Sequence, residues 1–537
     1  MSTSANYEAW QRRIQVLLRF LICRGGCGND SLATLPQTET GSSIMIGRQF
    51  RSMAIQTTLL RVLLLFLVAA KIAAAQSLPH AVEEALQHAH IPLSDVAAYV
   101  QDVDETRPQL ALNAGQPMNP ASTMKLLTTY AALELLGPSY TWKTEAYAAG
   151  RLQAGVLEGD LVLKGYGDPK LTLADFWLLL RKLRALGLRE IRGDLVLDRS
   201  YFEKVDYDPG KFDGEPLRVY NVGPDALLLN FKAVRFQFVP DAEQKSVTVI
   251  AEPRPAGLEF SAAVRATDGP CEDWRADISA DLQSNGASAK ASFAGAMPAS
   301  CGERDWNASL LAQPDYVYEV FKQLWQELGG SIGGGWRNGV VPADARLLTS
   351  AKSATNAEVV RDINKFSNNV MAQQLFLTLG AEMLGPPANK ARSAQALQSW
   401  LAQRKLDFPE LVLDNGAGLS REARISAQHM GQLLLDAWRS AVMPELISSL
   451  PVVASDGTMR RRLRSESIAG QAHIKSGSLN GTRTLAGYVL DKRGRRRVVV
   501  LFINGANAAA AQPAQDALLE WVYDDGSHPC RGCRRPR

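Results

Sequence analysis

The string Gly-Asp-Leu-Val-Leu occurs twice in this chain, at Gly159 to Leu163 and at Gly193 to Leu197, with the amphipathic pattern of a helix, Leu173 to Leu186, between the copies. Two identical apolar strands separated by one helix read as a β-α-β unit with a repeated edge element, which commits the middle of the chain to a sheet of its own. Short strands with glycine turns begin near Tyr147, and dense alternation with many small residues, as at Val247 to Ile250, suits a small β module near residues 236–310. Helical periodicity returns at Tyr316 to Leu328, and Gly329 to Gly335 reads as a linker.

On either side of this block the pattern changes. Upstream, a short helix (Ala81 to His88) leads into a hairpin, Val96 to Val103 and a second strand through Leu112, turned at Glu105 to Pro108. Pro120-Ala121-Ser122 opens a helical run to Leu136, which Gly137-Pro138 closes. Downstream, helices are predicted around Asn356 to Leu379, Ala391 to Gln403 and Ala427 to Trp438, then strands at Gly470 to Ser476, Thr484 to Leu490 and Val498 to Ile503, and a last helix, Pro513 to Tyr523. At 537 residues the chain exceeds what one core supports. The expected class is α+β: one catalytic domain in two parts, residues 76–148 and 340–525, interrupted by a mostly β insertion, 149–339, that forms one or two extra domains. Residues 526–537 read as a disordered tail.

Apolar residues at 46%, charged residues at 21% and 26 dispersed prolines exclude wholesale disorder and collagen-like structure. The net charge of +4 implies no nucleic-acid face. The run Arg495-Arg496-Arg497 reads as a solvated hairpin turn entering a strand.

Residues 53–75 carry a basic residue (Arg61), an apolar run from Val62 to Ala70 and small residues Ala73 to Ala75, the pattern of a secretory signal peptide cleaved before Gln76. The run is short of the roughly 20 residues that span a bilayer, so no integral membrane span is expected after cleavage, and the mature chain is expected in the periplasm. Residues 1–52 read as an unstructured preface, and translation is expected to start at Met53. Of six cysteines, Cys23 and Cys27 lie in that preface and Cys530 and Cys533 in the arginine-rich tail. In an oxidising compartment Cys271 and Cys301 are expected to pair, closing a loop of about 30 residues worth roughly 3 to 4 kcal/mol. His88 and His90 do not share a helix face, and no metal or cofactor is expected.

Ser122-Thr123-Met124-Lys125 sets a hydroxyl and an amine three residues apart at a helix start, so that both project from one face. Serine is a poor nucleophile by itself, and a lysine can take its proton only where desolvation or a neighbouring cation holds the amine neutral. Ser122 is the only serine followed three residues later by lysine. Ser367-Asn368-Asn369 supplies a hydroxyl and an amide that can pass a proton and hold a peptide, and a polar helix break or cap is its ordinary reading. Lys475-Ser476-Gly477, on a predicted strand, offers a cation, a hydroxyl and a glycine for a substrate carboxylate, against the ordinary reading of a solvated strand end. Each motif alone is weak, and their joint occurrence in this order is rare.

In order and spacing the three motifs resemble those of the class C low-molecular-mass penicillin-binding proteins, the D-Ala-D-Ala carboxypeptidase/endopeptidase family, in which a very long insertion also separates the first motif from the second. The resemblance extends over residues 80–525 and includes Gly159 to Asp168-Pro169, the Cys271 to Cys301 region ending in Cys-Gly-Glu, Ile363 to Asn369 and Asp414 to Arg421. Ser476 stands where threonine is common. The resemblance implies a penicillin-binding, serine β-lactamase-like catalytic domain, an antiparallel sheet flanked by helices. It implies that Ser122 attacks the penultimate D-alanyl carbonyl of peptidoglycan stem peptides, with Lys125 as base and the backbone N–H groups of Ser122 and Ser478 as oxyanion hole. Ser367 would relay a proton to the leaving amine, Asn369 would hold the peptide, and Lys475 with Ser476, Gly477 and Thr482 would take the terminal carboxylate. β-Lactam antibiotics are the implied covalent inhibitors. The rival readings are a serine β-lactamase-type hydrolase and an inactive wall-binding protein; the long insertion disfavours the first, the intact Ser122 and Lys125 the second.

Overall fold

The computed structural model describes residues 78–526. The expected signal peptide, the preface with Cys23 and Cys27 and the tail with Cys530 and Cys533 lie outside the described residues. Among the described residues no helix is long and apolar enough to cross a membrane.

Three late strands and the early hairpin form one five-stranded antiparallel sheet, in the order Ala472–Leu479, Thr482–Leu490, Arg496–Asn504, Val96–Asp102 and Leu110–Leu112. The middle strands are apolar on both faces, which requires a cover on each side. Val499, Leu501 and Ile503 pack with Val82 and Leu86 of the helix His80–His88 and with Leu518, Leu519 and Val522 of the helix Gln512–Tyr523. Val498, Val500 and Phe502 face the other layer, where helices Lys125–Leu136, Asn369–Leu384 and Ala427–Trp438 bury Leu127, Leu375 and Leu434 in one cluster. Helix, sheet and helix thus make a three-layer α+β body.

The middle of the chain forms two further sheets. In the seven-stranded one the repeated strings lie side by side in parallel, Leu161 against Leu195, Val162 against Val196 and Leu163 against Leu197. A third parallel strand, Trp336–Asn338, continues the stack beside Leu195 to Leu197. The joints repeat as well: Asp194 N–H donates to Asp160 Oδ1, and Gly335 N–H donates to Asp194 Oδ1. A Cβ on Gly193 would sit 2.2 Å from Asp160 Oδ1 and one on Gly334 2.4 Å from Asp194 Oδ1, so both rungs need glycine. Gly329 to Gly335 is therefore not a linker. Ser331–Ile332 within it is a strand paired with Glu190–Ile191, too short for periodicity to reveal.

This sheet also takes in Thr141–Gln153 and Arg346–Thr355, which pair with each other, so its footprint is wider than residues 149–339. Residues 234–308 supply the six-stranded sheet, antiparallel except where Leu258–Thr267 runs parallel to Ala289–Pro298. Cys271 and Cys301 are joined by a disulfide at its edge. The arginine run is not wholly a solvated turn: Arg497 is buried and held by Asp491 at 3.1 Å and by Asp525, because its strand lies inside the main sheet.

Candidate active site

Ser122 enters the cleft from a strained turn. Ala121 has φ of +45°, and Ser122 sits in a short 3-10 turn, Ala121–Met124, before the α-helix proper begins at Lys125. The expected single helical run from Pro120 is thus two kinds of turn. Surrounding structure over-determines the strain. Asn119 ties the turn down: its Oδ1 accepts from Ala121 N–H, its Nδ2 donates to Ser420 O, and its own N–H donates to Asn504 Oδ1. Thr484 Oγ donates to Pro120 O at 2.8 Å. A Cβ on Gly418 would lie 1.8 Å from Ala121 O, so the loop around it closes on the turn only because that residue is glycine.

Lys125 is fully buried, and its Nζ has three neighbours: Ser122 Oγ at 3.0 Å, Asn369 Oδ1 at 2.7 Å and Ala417 O at 2.6 Å. The charged amine donates to all three. The neutral amine has two N–H bonds, which the amide and carbonyl oxygens take, and the lone pair then faces the Ser122 hydroxyl. Burial, and next the positive charge of Lys475, hold the Lys125 amine well below its ordinary pKa. Those are the conditions under which a lysine accepts a serine proton.

Ser367 stands at a break. The helical stretch expected from Asn356 to Leu379 is two helices, Asn356–Phe366 and Asn369–Leu384, because Ser367 turns left-handed at φ +56° and Asn368 caps the second helix by accepting from Met371 N–H. The cap and the functional reading of this motif coexist: the middle residue caps the second helix, while Ser367 and Asn369 reach the two lysines. Lys475 Nζ donates to Ser367 Oγ at 2.9 Å and to Ser476 O at 2.8 Å. Burial lowers its pKa to about 7.

The strand Ala472–Leu479 is the outer strand of its sheet. Ile474 N–H donates away from the neighbouring strand to Pro451 O, so by alternation the N–H groups of Ser476 and Ser478 also face the open edge. A Cβ on Gly477 would lie 2.2 Å from Thr484 Oγ1 and 2.9 Å from Ser122 N, so strand and nucleophile turn touch through glycine. Ser122 N–H meets no acceptor among the described residues. Ser476 Oγ lies 2.9 Å from Thr458 Oγ1.

Three far-separated segments therefore meet in one cleft, and a sequence profile of the D-Ala-D-Ala carboxypeptidase 3 (S13) family matches residues 78–524. The chain belongs to that family. This S13 chain is 28% identical to the D-alanyl-D-alanine carboxypeptidase of Actinomadura sp. (strain R39) over 433 residues, 78% of the chain and 79% of that relative. It is 24% identical over 414 residues to the D-alanyl-D-alanine carboxypeptidase DacB of Haemophilus influenzae, 77% of the chain and 86% of that relative. The crystal structure of penicillin-binding protein 4 from Haemophilus influenzae shares the fold, with a TM-score of 0.68 and 23% identity over 82% of the chain and 99% of that structure.

Among the described residues Thr482, like Ser478, brings no side-chain hydrogen bond to the cleft, and it is buried at the start of its strand. Thr484, two residues on and on the same face, does. Sequence reasoning also passed over Asn119, Asn504 and the Ala417 carbonyl. Ala417 falls in the Asp414 to Arg421 stretch, whose two glycines were its one visible signal. Lys365, buried, donates to Leu450 O and Asp456 Oδ2 and so fixes the turn that carries Thr458.

Proposed function

We propose that this chain is a serine DD-peptidase that hydrolyses D-alanyl-D-alanine and related peptide bonds of peptidoglycan stem peptides through an acyl-enzyme on Ser122. The observation that carries the reading is the buried Lys125 amine, 3.0 Å from Ser122 Oγ with its other two directions occupied by acceptors. In this mechanism Lys125 takes the hydroxyl proton as Oγ adds to the D-alanyl carbonyl. The N–H groups of Ser122 and Ser478 stabilise the oxyanion. The tetrahedral adduct then collapses, a proton passes through Ser367 to the leaving amine, and the C–N bond breaks. Asn369 orients the acyl peptide and the Lys125 amine. Lys475 with Ser476 binds the leaving residue's carboxylate, Gly477 lets the strand approach, and Thr482 borders that end of the cleft. Water, activated by the same lysine, releases the acyl group.

The strained lactam of a penicillin meets the same Ser122, and its acyl group is expected to stay. A related structure of the Haemophilus influenzae protein is complexed with a β-lactam, which supports this expectation. Residues 149–339, with the flanking strands Thr141–Gln153 and Arg346–Thr355, act as an insertion beside the catalytic body, and residues 53–75 as a cleaved signal that delivers the chain to the periplasm. The family's cell-wall chemistry supports export.

The test is labelling of the purified chain by a fluorescent penicillin, with release of D-alanine from a pentapeptide. The wild-type chain is expected to label and to release D-alanine, and Ser122→Ala to do neither. Labelling that survives in Ser122→Ala refutes the assignment of the nucleophile. Label that decays within seconds points instead to a β-lactamase.

A further inference from the structure

Beyond Thr458 the chain runs Met459-Arg460-Arg461-Arg462. Met459 is buried and anchors the segment, and Arg462 is ion-paired with Asp516. Arg460 and Arg461 are exposed and, with Arg304, Cys271, Glu272 and Trp274, line a cavity of about 580 Å³ between the catalytic body and the disulfide loop of the six-stranded sheet. Arg304 donates to Glu303 O and lies 3.8 Å from Cys271 Sγ. Among the described residues none of the three guanidinium groups meets a carboxylate at ion-pair distance, although Arg199, Arg404 and Arg462 elsewhere all do. Beside the cavity Arg275 is stacked between Trp274 and Trp306, at 4.9 and 4.5 Å from the ring centroids. Cations gathered around one opening, with Glu272 the one acidic residue of its lining, repel each other until an anion enters.

The place of this cavity decides which anion. Its lining residue Arg460 follows Thr458 by two residues, and Thr458 touches Ser476. On the proposed function, Ser476 and Lys475 bind the carboxylate of the leaving residue, so the cavity lies past the scissile bond on the leaving side. A terminal D-alanine ends at that carboxylate and does not reach the arginines. The leaving residue of a cross-link continues into a second peptide. We propose that the cleft lined by Arg304, Arg460 and Arg461 is a subsite for the leaving strand of a peptide cross-link, a peptide that bears further free carboxylates. The bond broken is the same for both substrates, so the arginines act on binding and favour cross-link cleavage over trimming.

The inference rests on the proposed catalytic reading, and three substrates separate the two: a cross-linked peptide dimer, the same dimer with the distal carboxylates of its leaving strand amidated, and a monomeric pentapeptide. The double variant Arg460→Gln, Arg461→Gln is expected to lose about tenfold in kcat/KM on the dimer, mainly through KM. Pentapeptide hydrolysis and penicillin acylation are expected to stay within about twofold, which also shows that the variant folds. The unmodified enzyme is expected to show the same tenfold loss on the amidated dimer. Equal losses on dimer and pentapeptide, or a dimer unaffected by either change, overturn the subsite. A wild-type chain that is not acylated by penicillin and cleaves neither peptide overturns the catalytic reading, and this inference with it.

Discussion

Two sheets of this molecule follow opposite burial rules. In the five-stranded sheet the strand Arg496–Asn504 is buried from Arg497 to Ile503, on both faces, between two helical layers. In the six-stranded sheet Ala289–Pro298 begins with strict alternation, Ala289, Ala291 and Phe293 inward and Lys290 outward, and much of Leu258–Thr267 is wet. A charged residue therefore means different things in the two places. Lys290 is simply the solvent side of a half-buried strand. Lys475, fully buried in a strand of the main sheet, carries a desolvation penalty that its surroundings must offset, and what offsets it is the hydroxyl and carbonyl of the cleft.

If that contrast holds, the largest effect belongs to the buried amine at the nucleophile. Lys125→Ala is expected to slow penicillin acylation by about 10² to 10⁴, measured by stopped-flow or gel labelling, with the fold retained. A loss below about tenfold would mean that another base serves Ser122.

Glycine substitutions sharpen the comparison, since Gly418 and Gly329 have nearly the same φ, +74° and +75°. In Gly418→Ala the new Cβ collides with Ala121 O, and the expected outcome is at least about tenfold slower acylation with roughly 3 kcal/mol or more of destabilisation. In Gly329→Ala the nearest atom is the flexible end of Arg184 at 3.5 Å, and the expected change is about 1 kcal/mol by thermal melting with unaltered acylation. Similar rates in the two variants would break the claim that the nucleophile turn is rigidly over-determined.

The lysines also fix the pH profile. On the proposed mechanism activity needs Lys125 neutral, so kcat/KM is expected to rise with pH through its lowered pKa. The same mechanism needs Lys475 charged, so kcat/KM is expected to fall by up to tenfold per pH unit once pH exceeds about 7. Lys475→Arg keeps its charge at every accessible pH, and its alkaline limb is expected to vanish. Persistence of that limb would assign it to another group.

Small in catalytic effect as well is the disulfide. Replacing Cys271 and Cys301 by serine opens a link with a sequence separation of 30 and is expected to destabilise the chain by roughly 3 to 4 kcal/mol. Penicillin acylation at low temperature is expected to change by less than about twofold. A large change would couple the two sheets more tightly than their separate cores suggest.

The convergence of the motifs was legible in the sequence where side chains carry it. Ser122, Lys125, Ser367, Asn369 and Lys475 converge through hydrogen bonds, and the late strands begin and end within about three residues of their predicted places. What escaped is carried by backbone or by single turns. The Ala417 carbonyl has no signature in residue type. The break at Ser367 is invisible to periodicity, since apolar residues continue at helical spacing across it and one left-handed residue suffices to part the helices. Thr482 and Thr484 share strand and face, and only register distinguishes the one that grips Pro120.

The strands Thr141–Gln153 and Arg346–Thr355 run alongside each other, and Asn356 N–H donates to Tyr140 O where they join the catalytic body. Everything between departs and returns through one doorway whose two posts are bolted together. With its ends fixed in this way, the excursion's length is nearly free of entropic consequence: doubling a flexible loop adds only about 0.6 kcal/mol. The doorway is not the only joint, since Asn369 Nδ2 donates to Tyr220 O and Val222 and Leu228 pack on Val370, so the excursion also braces the helix that borders the cleft.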